Sequence, residues 1–270
     1  MSYLGRLQVL TGLGGLGRFE LAWPLAKKEL ISRYRGSVGG ALWALFTPLL
    51  AVTVYALVFQ GVFKARWPGT EVGGLGYAMR TFAGLMVFTS VTEVAMRSTR
   101  LIQDNASLVK RVVFPLELLG VALLMQSAVH TLLQVAILAV LLGVTGDLRW
   151  SWLLLPLAWA WVLALQLAIT WLLSALGCYL RDLQHLVPAV ISGLMFLTPV
   201  FYPIDAAPKM LKAMLYLNPM SAPIELMRMA WFGSPFDWTV AWPQLVVLIP
   251  LLVFSRWFFE RARPGFADLV

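Results

Sequence analysis

Residues 118–144 read LLGVALLMQSAVHTLLQVAILAVLLGV, and His130 is the only ionisable side chain in this run. A helix of about 20 apolar residues crosses the hydrocarbon core of a bilayer, which is about 30 Å thick. The run is longer than that, so it predicts a transmembrane helix that is tilted or that begins with an interfacial segment. The solvent that decides the fold is therefore lipid.

The composition of the whole chain agrees with this prediction. Hydrophobic residues make up 60% of the sequence, charged residues make up 13%, and the mean hydropathy is +0.80. A water-soluble globule has too little interior to bury that much apolar surface. A chain of 270 residues has room for several membrane spans and little room for a separate soluble domain.

Five further apolar runs predict spans, at residues 42–63, 75–96, 152–176, 186–202 and 238–255. The second span in chain order carries Arg80 near its start and Glu93 near its end. The fifth is short and ends in Pro199 and Pro203, which break helices because proline lacks a backbone N–H donor and clashes with the preceding turn. We therefore expect an all-α, polytopic membrane protein with six transmembrane helices, the fifth of which does not cross in one straight piece.

The distribution of Lys and Arg predicts the orientation. The N-terminal arm, the loops after the second and fourth spans, and the tail hold 14 of the 21 basic residues. Because cytoplasmic segments carry an excess of Lys and Arg, both termini are predicted to be cytoplasmic. The domains are then an arm with an interfacial helix at 1–40, one six-helix transmembrane domain at 41–256, and a cytoplasmic tail at 257–270. The net charge of +8 does not predict a nucleic-acid partner, because long apolar runs separate the basic residues.

A basic amphipathic helix is predicted before the first span. Within residues 23–35, apolar side chains recur at spacings of three and four, at Trp23, Ala26, Leu30 and Tyr34. Basic and polar side chains occupy the other faces, at Lys27, Lys28, Ser32 and Arg33. A helix of this kind lies in the cytoplasmic interface of the membrane.

Two short helices are predicted between the fifth and sixth spans. Residues 208–217 are amphipathic, residues 223–231 show a second helical pattern, and Asn218 and Pro219 separate the two. Both pieces are too short to cross a bilayer. They are therefore predicted to be re-entrant or interfacial helices on the outer side.

The sequence contains no constellation that would make the chain an enzyme. Four glycines within residues 12–17 are not followed by Lys and Ser or Thr, and no strand precedes them, so they predict a flexible arm and not a phosphate-binding loop. The chain is therefore not expected to hydrolyse ATP. Neither His130 nor His185 has metal-ligating residues at a suitable spacing, so no catalytic, cofactor or metal residue is predicted. Glu93 and Arg97, four residues apart on one helical face, are expected to form a structural ion pair, with a role in gating as the alternative.

The loop at residues 98–114 is longer than a hairpin between two spans requires. It contains Asp104 and Asn105, which are residue types that cap helices, and then the basic Lys110 and Arg111. Two interpretations are open: the loop is a basic anchor at the cytoplasmic surface, or it is a docking helix for a cytoplasmic partner.

Several stretches together resemble a known family. They are residues 29–43 (ELISRYRGSVGGALW), 48–50 (PLL), 105–115 (NASLVKRVVFP), 179–183 (YLRDL) and 218–220 (NPM). This combination resembles the membrane subunit of type-2 ABC exporters for cell-surface polysaccharides, such as O-antigen, capsule and teichoic acid. The resemblance covers about residues 25 to 230.

The resemblance implies a homodimer of six-helix subunits in the inner membrane, in contact with membrane lipids. Each subunit would dock on a separate ATP-binding cassette ATPase subunit, and that partner would bind ATP and Mg. The substrate would be a lipid-linked glycan that moves from the cytoplasm to the periplasm.

The resemblance also implies roles for particular residues. The coupling helix that contacts the ATPase would contain Asp104, Asn105, Ser107 and Lys110, and a second contact would contain Arg181 and Asp182. Residues 24–35 would form an interfacial gate helix. The side chains there that would meet the pyrophosphate of the lipid carrier are Lys27, Lys28, Arg33, Tyr34 and Arg35.

Three other functions stay open at this point. One is the export of a drug or a small lipid by the same kind of transporter. Another is a self-contained secondary transporter or channel, which would need inward-facing ionisable residues that the largely uncharged spans do not supply. The third is a membrane enzyme, for which a catalytic constellation is missing.

Overall fold

The structure is a computed structural model that describes residues 15–34, 39, 42–62, 67, 74–110, 114–146 and 149–270. Within these ranges every regular element is helical. The α-helices are α1 (Gly15–Tyr34), α2 (Leu42–Ala56), α3 (Gly74–Ser98), α4 (Leu101–Asp104), α5 (Ala106–Val109), α6 (Glu117–Thr145), α7 (Leu155–Tyr179), α8 (Leu183–Leu194), α9 (Lys209–Leu217), α10 (Ser221–Phe232), α11 (Trp238–Ala262) and α12 (Phe266–Leu269). Helix α2 continues into a π-helical turn at Leu57–Val62.

In the described residues, three helical segments are long and apolar enough to cross a membrane. They are Glu117–Thr145, Trp150–Tyr179 and Trp238–Leu269. These segments contain the predicted third, fourth and sixth spans, so the prediction of a membrane protein with long apolar helices is confirmed. Helix α3 contains the predicted second span and has 25 residues, but it is less apolar because it carries polar and charged side chains.

The segments at the predicted first and fifth spans form shorter apolar helices. Helix α2 has 15 residues and helix α8 has 12. Helix α8 ends at Leu194, and turns follow up to Pro203, so the fifth apolar run is not one straight helix, as predicted. Helices α9 and α10 also form where two short helices were predicted. Between them, Asn218 donates to the Leu197 carbonyl oxygen at 2.9 Å and accepts from the Met220 amide at 2.9 Å.

Helix α3 lies at the centre of the bundle and contacts α2, α6, α7, α8 and α10. Its polar side chains point at its neighbours. Ser90 Oγ accepts a hydrogen bond from Gln166 Nε2 of α7 at 2.5 Å and lies 3.3 Å from Ser127 Oγ of α6. Polar groups that pair between helices hold them together in a medium without water. The polar side chains of α3 therefore make contacts between helices inside the bundle.

One end of the bundle, which we call the α5 end, gathers elements that are distant in sequence. A single apolar cluster contains Val109 of α5, Leu119 of α6, Cys178 of α7, Phe259 of α11 and Phe266 of α12. Helix α1 packs against α6 at the same end. Residues 98–110, the turn after α7 and the tail therefore lie together.

Gly177 allows two backbones to approach closely at the α5 end. A Cβ atom at this position would lie 2.0 Å from the carbonyl oxygen of Thr99, which is inside van der Waals contact. Gln103 Nε2 then donates to the carbonyl oxygen of Gly177 at 3.1 Å. The end of α7 thus fixes the position of α4.

At the opposite end of the bundle, Arg228 of α10 is fully buried. Its guanidinium donates to Glu225 Oε1 at 2.8 Å and to the Val200 carbonyl oxygen at 2.6 Å, and it lies 4.5 Å from the ring centroid of Trp67. It also donates to the carbonyl oxygen of Arg80 on α3 at 3.3 Å. Burial raises the pKa of the Glu225 carboxyl, and the charge of Arg228 acts in the opposite direction. Arg228 therefore ties α10 and the turn after α8 to α3.

Substitution of Gly177 by Ala is expected to lower the free energy of unfolding by about 1–3 kcal/mol, because the added methyl group overpacks a backbone contact. Gly143→Ala is the matched control, since nothing lies within 4 Å of a Cβ atom there. The control is expected to be neutral or to stabilise the helix by up to about 1 kcal/mol. Thermal unfolding of each purified variant in detergent measures both changes in stability. Equal melting temperatures for the two variants would contradict the contact.

Substitution of Arg228 by Met is expected to cost about 3–5 kcal/mol, because it leaves Glu225 buried without its charged partner. The control is Arg256→Met, which removes an exposed ion pair with Glu260 that also lies within one helix. That pair is worth at most about 0.5 kcal/mol. The same thermal unfolding experiment applies, and a melting temperature for Arg228→Met as high as that of the control would refute the buried pair's role.

Candidate functional site

A cavity of about 330 Å³ at the α5 end brings two groups of predicted residues together. We call it the α1–α5 cavity. Helix α1 contributes Lys28 to its lining, and the loop with α4 and α5 contributes Asp104, Asn105 and Ser107. The predicted gate helix and the predicted coupling segment therefore line one site, although about 75 residues of sequence separate them.

Arg97 of α3 forms hydrogen bonds to α1 and α6, two helices that line this cavity. Its Nη2 donates to Glu29 Oε2 of α1 at 2.7 Å, and its Nη1 donates to Gln126 Oε1 of α6. The predicted pair with Glu93 is also present, with a longer separation of 4.0 Å between Arg97 Nη1 and Glu93 Oε1. Helical spacing predicts the Glu93 contact. It gives no signal for Glu29 or Gln126, because those contacts depend on how the helices pack.

Helix α1 agrees in part with its prediction. Ala22 and Ala26 are fully buried, whereas Trp23 is 43% exposed, so of the predicted apolar face Ala26 packs against the protein and Trp23 lies at its surface. The small alanine side chains let α1 approach α6 closely. Lys27 and Lys28 are exposed, as a basic interfacial helix requires.

The ends of the predicted gate helix differ from the prediction. Helix α1 begins at Gly15, so the prediction of a flexible arm is wrong for Gly15 and Gly17. A glycine in a helix costs only about 1 kcal/mol relative to alanine, which a helix of this length tolerates. Arg33 and Tyr34 lie in the last turn of α1, and Arg35 lies outside the described residues.

The predicted coupling segment forms two single turns, α4 and α5, joined at Asn105. Asn105 occupies the cap position between the two turns, as its residue type predicts, whereas Asp104 is the last residue of α4 and does not cap a helix. Instead, Asp104 pairs with Arg100 at 3.4 Å, and Asn105 Nδ2 donates to the Leu101 carbonyl oxygen at 2.9 Å. Ser107 and Lys110 are exposed beside them.

Arg181 and Asp182 lie in the turn between α7 and α8. Both side chains are exposed, and neither forms an ion pair within the described part of the chain. They do not line the α1–α5 cavity. The contact of Gln103 with Gly177 places their turn beside α4, so they belong to the same end of the bundle.

A second cavity of about 430 Å³ lies at the opposite end. Its lining includes Arg80, Arg149 and Arg228, with Glu225 and Trp67. Arg80 donates to Ser234 Oγ at 2.7 Å and lies 4.7 Å from the ring centroid of Phe232. In the topology predicted from the sequence, these arginines are among the seven basic residues that fall on or near the outer side, and no motif or spacing in the sequence relates them to one another.

The sequence of the chain is similar to those of known transport proteins. Residues 20–232 match the ABC-2 type transporter family. The chain is 31% identical to the O-antigen export system permease protein RfbA of Myxococcus xanthus over 201 residues, which are 73% of this chain and 74% of that protein. It is 25% identical to an O-antigen export system permease protein RfbA of Klebsiella pneumoniae over 259 residues, which are 93% of this chain and 95% of that protein. It is 22% identical to the polysialic acid transport protein KpsM of Escherichia coli over 206 residues, which are 75% of this chain and 78% of that protein. The matched range includes every residue that lines the α1–α5 cavity, and the chain belongs to the ABC-2 type transporter family.

Proposed function

We propose that the chain is the permease subunit of an ATP-driven exporter that moves a lipid-linked polysaccharide across the inner membrane. Relatives named as O-antigen and polysialic acid exporters favour a polysaccharide over a drug or a small lipid. The observation that carries the proposal is the ion pair of Arg97 with Glu29, since it connects the basic helix α1 to α3, and α3 leads directly into the segment on which an ATPase would act.

The proposed topology has six membrane crossings, formed by α2, α3, α6, α7, α8 with the turns after it, and α11. Both termini and the α5 end face the cytoplasm, and α9 and α10 are re-entrant or interfacial helices on the outer side. Two observations support this arrangement. The elements at the α5 end lie together in the fold, and the arm, loops and tail that supply them hold most of the basic residues.

Helix α1 is proposed to be the gate helix that meets the lipid carrier. Its exposed Lys27 and Lys28, with Arg33, Tyr34 and Arg35 at its end, would present donors and positive charge to a pyrophosphate at the membrane surface. Lys28 also lines the α1–α5 cavity. A bound headgroup would therefore lie next to the site where α1 contacts α3.

The coupling segment is proposed to dock on a separate ATP-binding cassette subunit, which binds ATP and Mg. Asp104, Asn105, Ser107 and Lys110 would form the main contact, and Arg181 with Asp182 would form the second. Movement of this segment would pass through Arg97 to Glu29 and so to α1. Two copies of the chain would form the translocation path as a homodimer.

The first test is reconstitution of the purified chain in vesicles with an ABC-type ATPase from the same genome, using a lipid-linked polysaccharide. ATP-dependent export is expected with the intact ATPase, and no export is expected when its phosphate-loop lysine is changed to Ala. Export by the purified chain alone, without the ATPase, would refute the half-transporter proposal.

The second test neutralises the basic residues of α1 and its end by changing Lys27, Lys28, Arg33 and Arg35 to Gln. A basic side chain near an anionic membrane surface contributes about 1 kcal/mol, so the loss of four is expected to reduce export at least about tenfold. The control changes Lys209 and Lys212 of α9 to Gln at the opposite end. Export as in the unchanged protein, with normal membrane insertion, would exclude an essential role for the basic cluster.

A further inference from the structure

The tail folds back onto the proposed coupling segment. After α11, a short turn at Arg263–Gly265 leads into α12, and α12 contacts both α5 and α7. Phe266 is fully buried, and its ring centroid lies 5.5 Å from that of Phe259 and 6.3 Å from that of Tyr179. An apolar side chain of the tail is thus part of the core of the α5 end.

Tyr179 fixes the position of the tail. Its hydroxyl donates to the carbonyl oxygen of Ala262 at 2.9 Å. A Cβ atom at Gly265 would lie 2.4 Å from the same hydroxyl oxygen and 3.4 Å from the ring carbon that bears it. The turn before α12 therefore passes directly over Tyr179, and a side chain at position 265 would have to displace the tyrosine hydroxyl.

Helix α5 cannot hold its own conformation. A helix of four residues makes too few hydrogen bonds to offset the entropy of nucleation, so its geometry depends on what it packs against. Val109 is its buried residue, and Val109 belongs to the same apolar cluster as Phe266 and Ile102 of α4. The tail is therefore part of the support beneath α4 and α5.

We propose that Phe266 is a positioning residue for transport. It fills the core beneath α5, so that a push on the coupling segment moves α3 and α1 and is not absorbed by local repacking. This inference rests on the proposed function, because it concerns the efficiency with which ATP hydrolysis drives export. The tail then acts through α5, and its exposed side chains Asp268 and Leu269 are not required for binding of the ATPase.

The first experiment compares Phe266→Ala, Phe266→Leu and Leu269→Ala in the reconstituted complex with the ATPase. Phe266→Ala is expected to reduce the polysaccharide exported per ATP hydrolysed by about tenfold, within the usual range of energetic coupling between sites. The ATP hydrolysis rate and the amount of bound ATPase are expected to change less than about twofold, which a merely unfolded protein would not show. Phe266→Leu should recover most of the export, and Leu269→Ala should behave as the unchanged protein.

A second experiment displaces the tail and leaves Phe266 in place. Gly265→Ala introduces the clash with the Tyr179 hydroxyl and is expected to reduce the same ratio of export to hydrolysis. Tyr179→Phe removes that hydroxyl, so the double variant Gly265→Ala/Tyr179→Phe is expected to regain export. Tyr179→Phe alone should keep most of the export, because the ring that contacts Phe266 remains.

The outcomes separate this inference from the proposed function. If the unchanged complex shows no ATP-dependent export, the proposed function fails. If it exports and Phe266→Ala and Gly265→Ala export equally well per ATP, the positioning role fails. An equal loss in Leu269→Ala and Phe266→Ala, accompanied by loss of bound ATPase, would also overturn it, because the tail would then be a direct docking surface.

Discussion

Polar groups inside a hydrocarbon medium have no water to bond with, so they must bond with the protein itself. Helix α3 shows the consequence most clearly, because it is a long helix with many polar residues at the centre of the bundle. The contact of Gln166 with Ser90 and the approach of Ser127 to Ser90 lock α3 against α6 and α7. The remaining packing of the bundle is built around this position of α3.

The fixed central helix carries one arginine toward each end of the bundle. Arg80 lines the cavity at the end opposite α5, and Arg97 lines the α1–α5 cavity. At a rise of about 1.5 Å per residue, the two positions are about 25 Å apart along the helix. Helix α3 is thus the direct physical connection between the two sites. Because a helix is stiff along its axis, a displacement of α3 at one end moves its other end as well.

The sequence predicts the parts of this fold that depend on periodicity and composition. Apolar runs predict α6, α7 and α11, the prolines at 199 and 203 predict the interruption after α8, and Asn218 with Pro219 predicts the break between α9 and α10. The candidate site is predicted only as separate segments. Its assembly depends on Arg97 contacting Glu29, on Ala22 and Ala26 facing α6, and on Gly177 facing Thr99. Each of these is a contact between distant segments, and hydrophobic spacing along one helix carries no information about it.

The two ends of the bundle differ in how their charges are held, and this difference bears on movement. At the α5 end, Arg97 and Glu29 are 34% and 46% exposed, and pairs with that exposure contribute at most about 1 kcal/mol. Such contacts can break and reform at little cost. At the opposite end, Arg228 is buried with Glu225 and bonds to carbonyl oxygens of two other segments, so separation would leave charges and polar groups without partners in the interior. In the proposed homodimer, α1 can therefore shift against α3 within one subunit. The opposite end must move as a unit with α3, so a path for the polysaccharide would open there by movement between the two subunits.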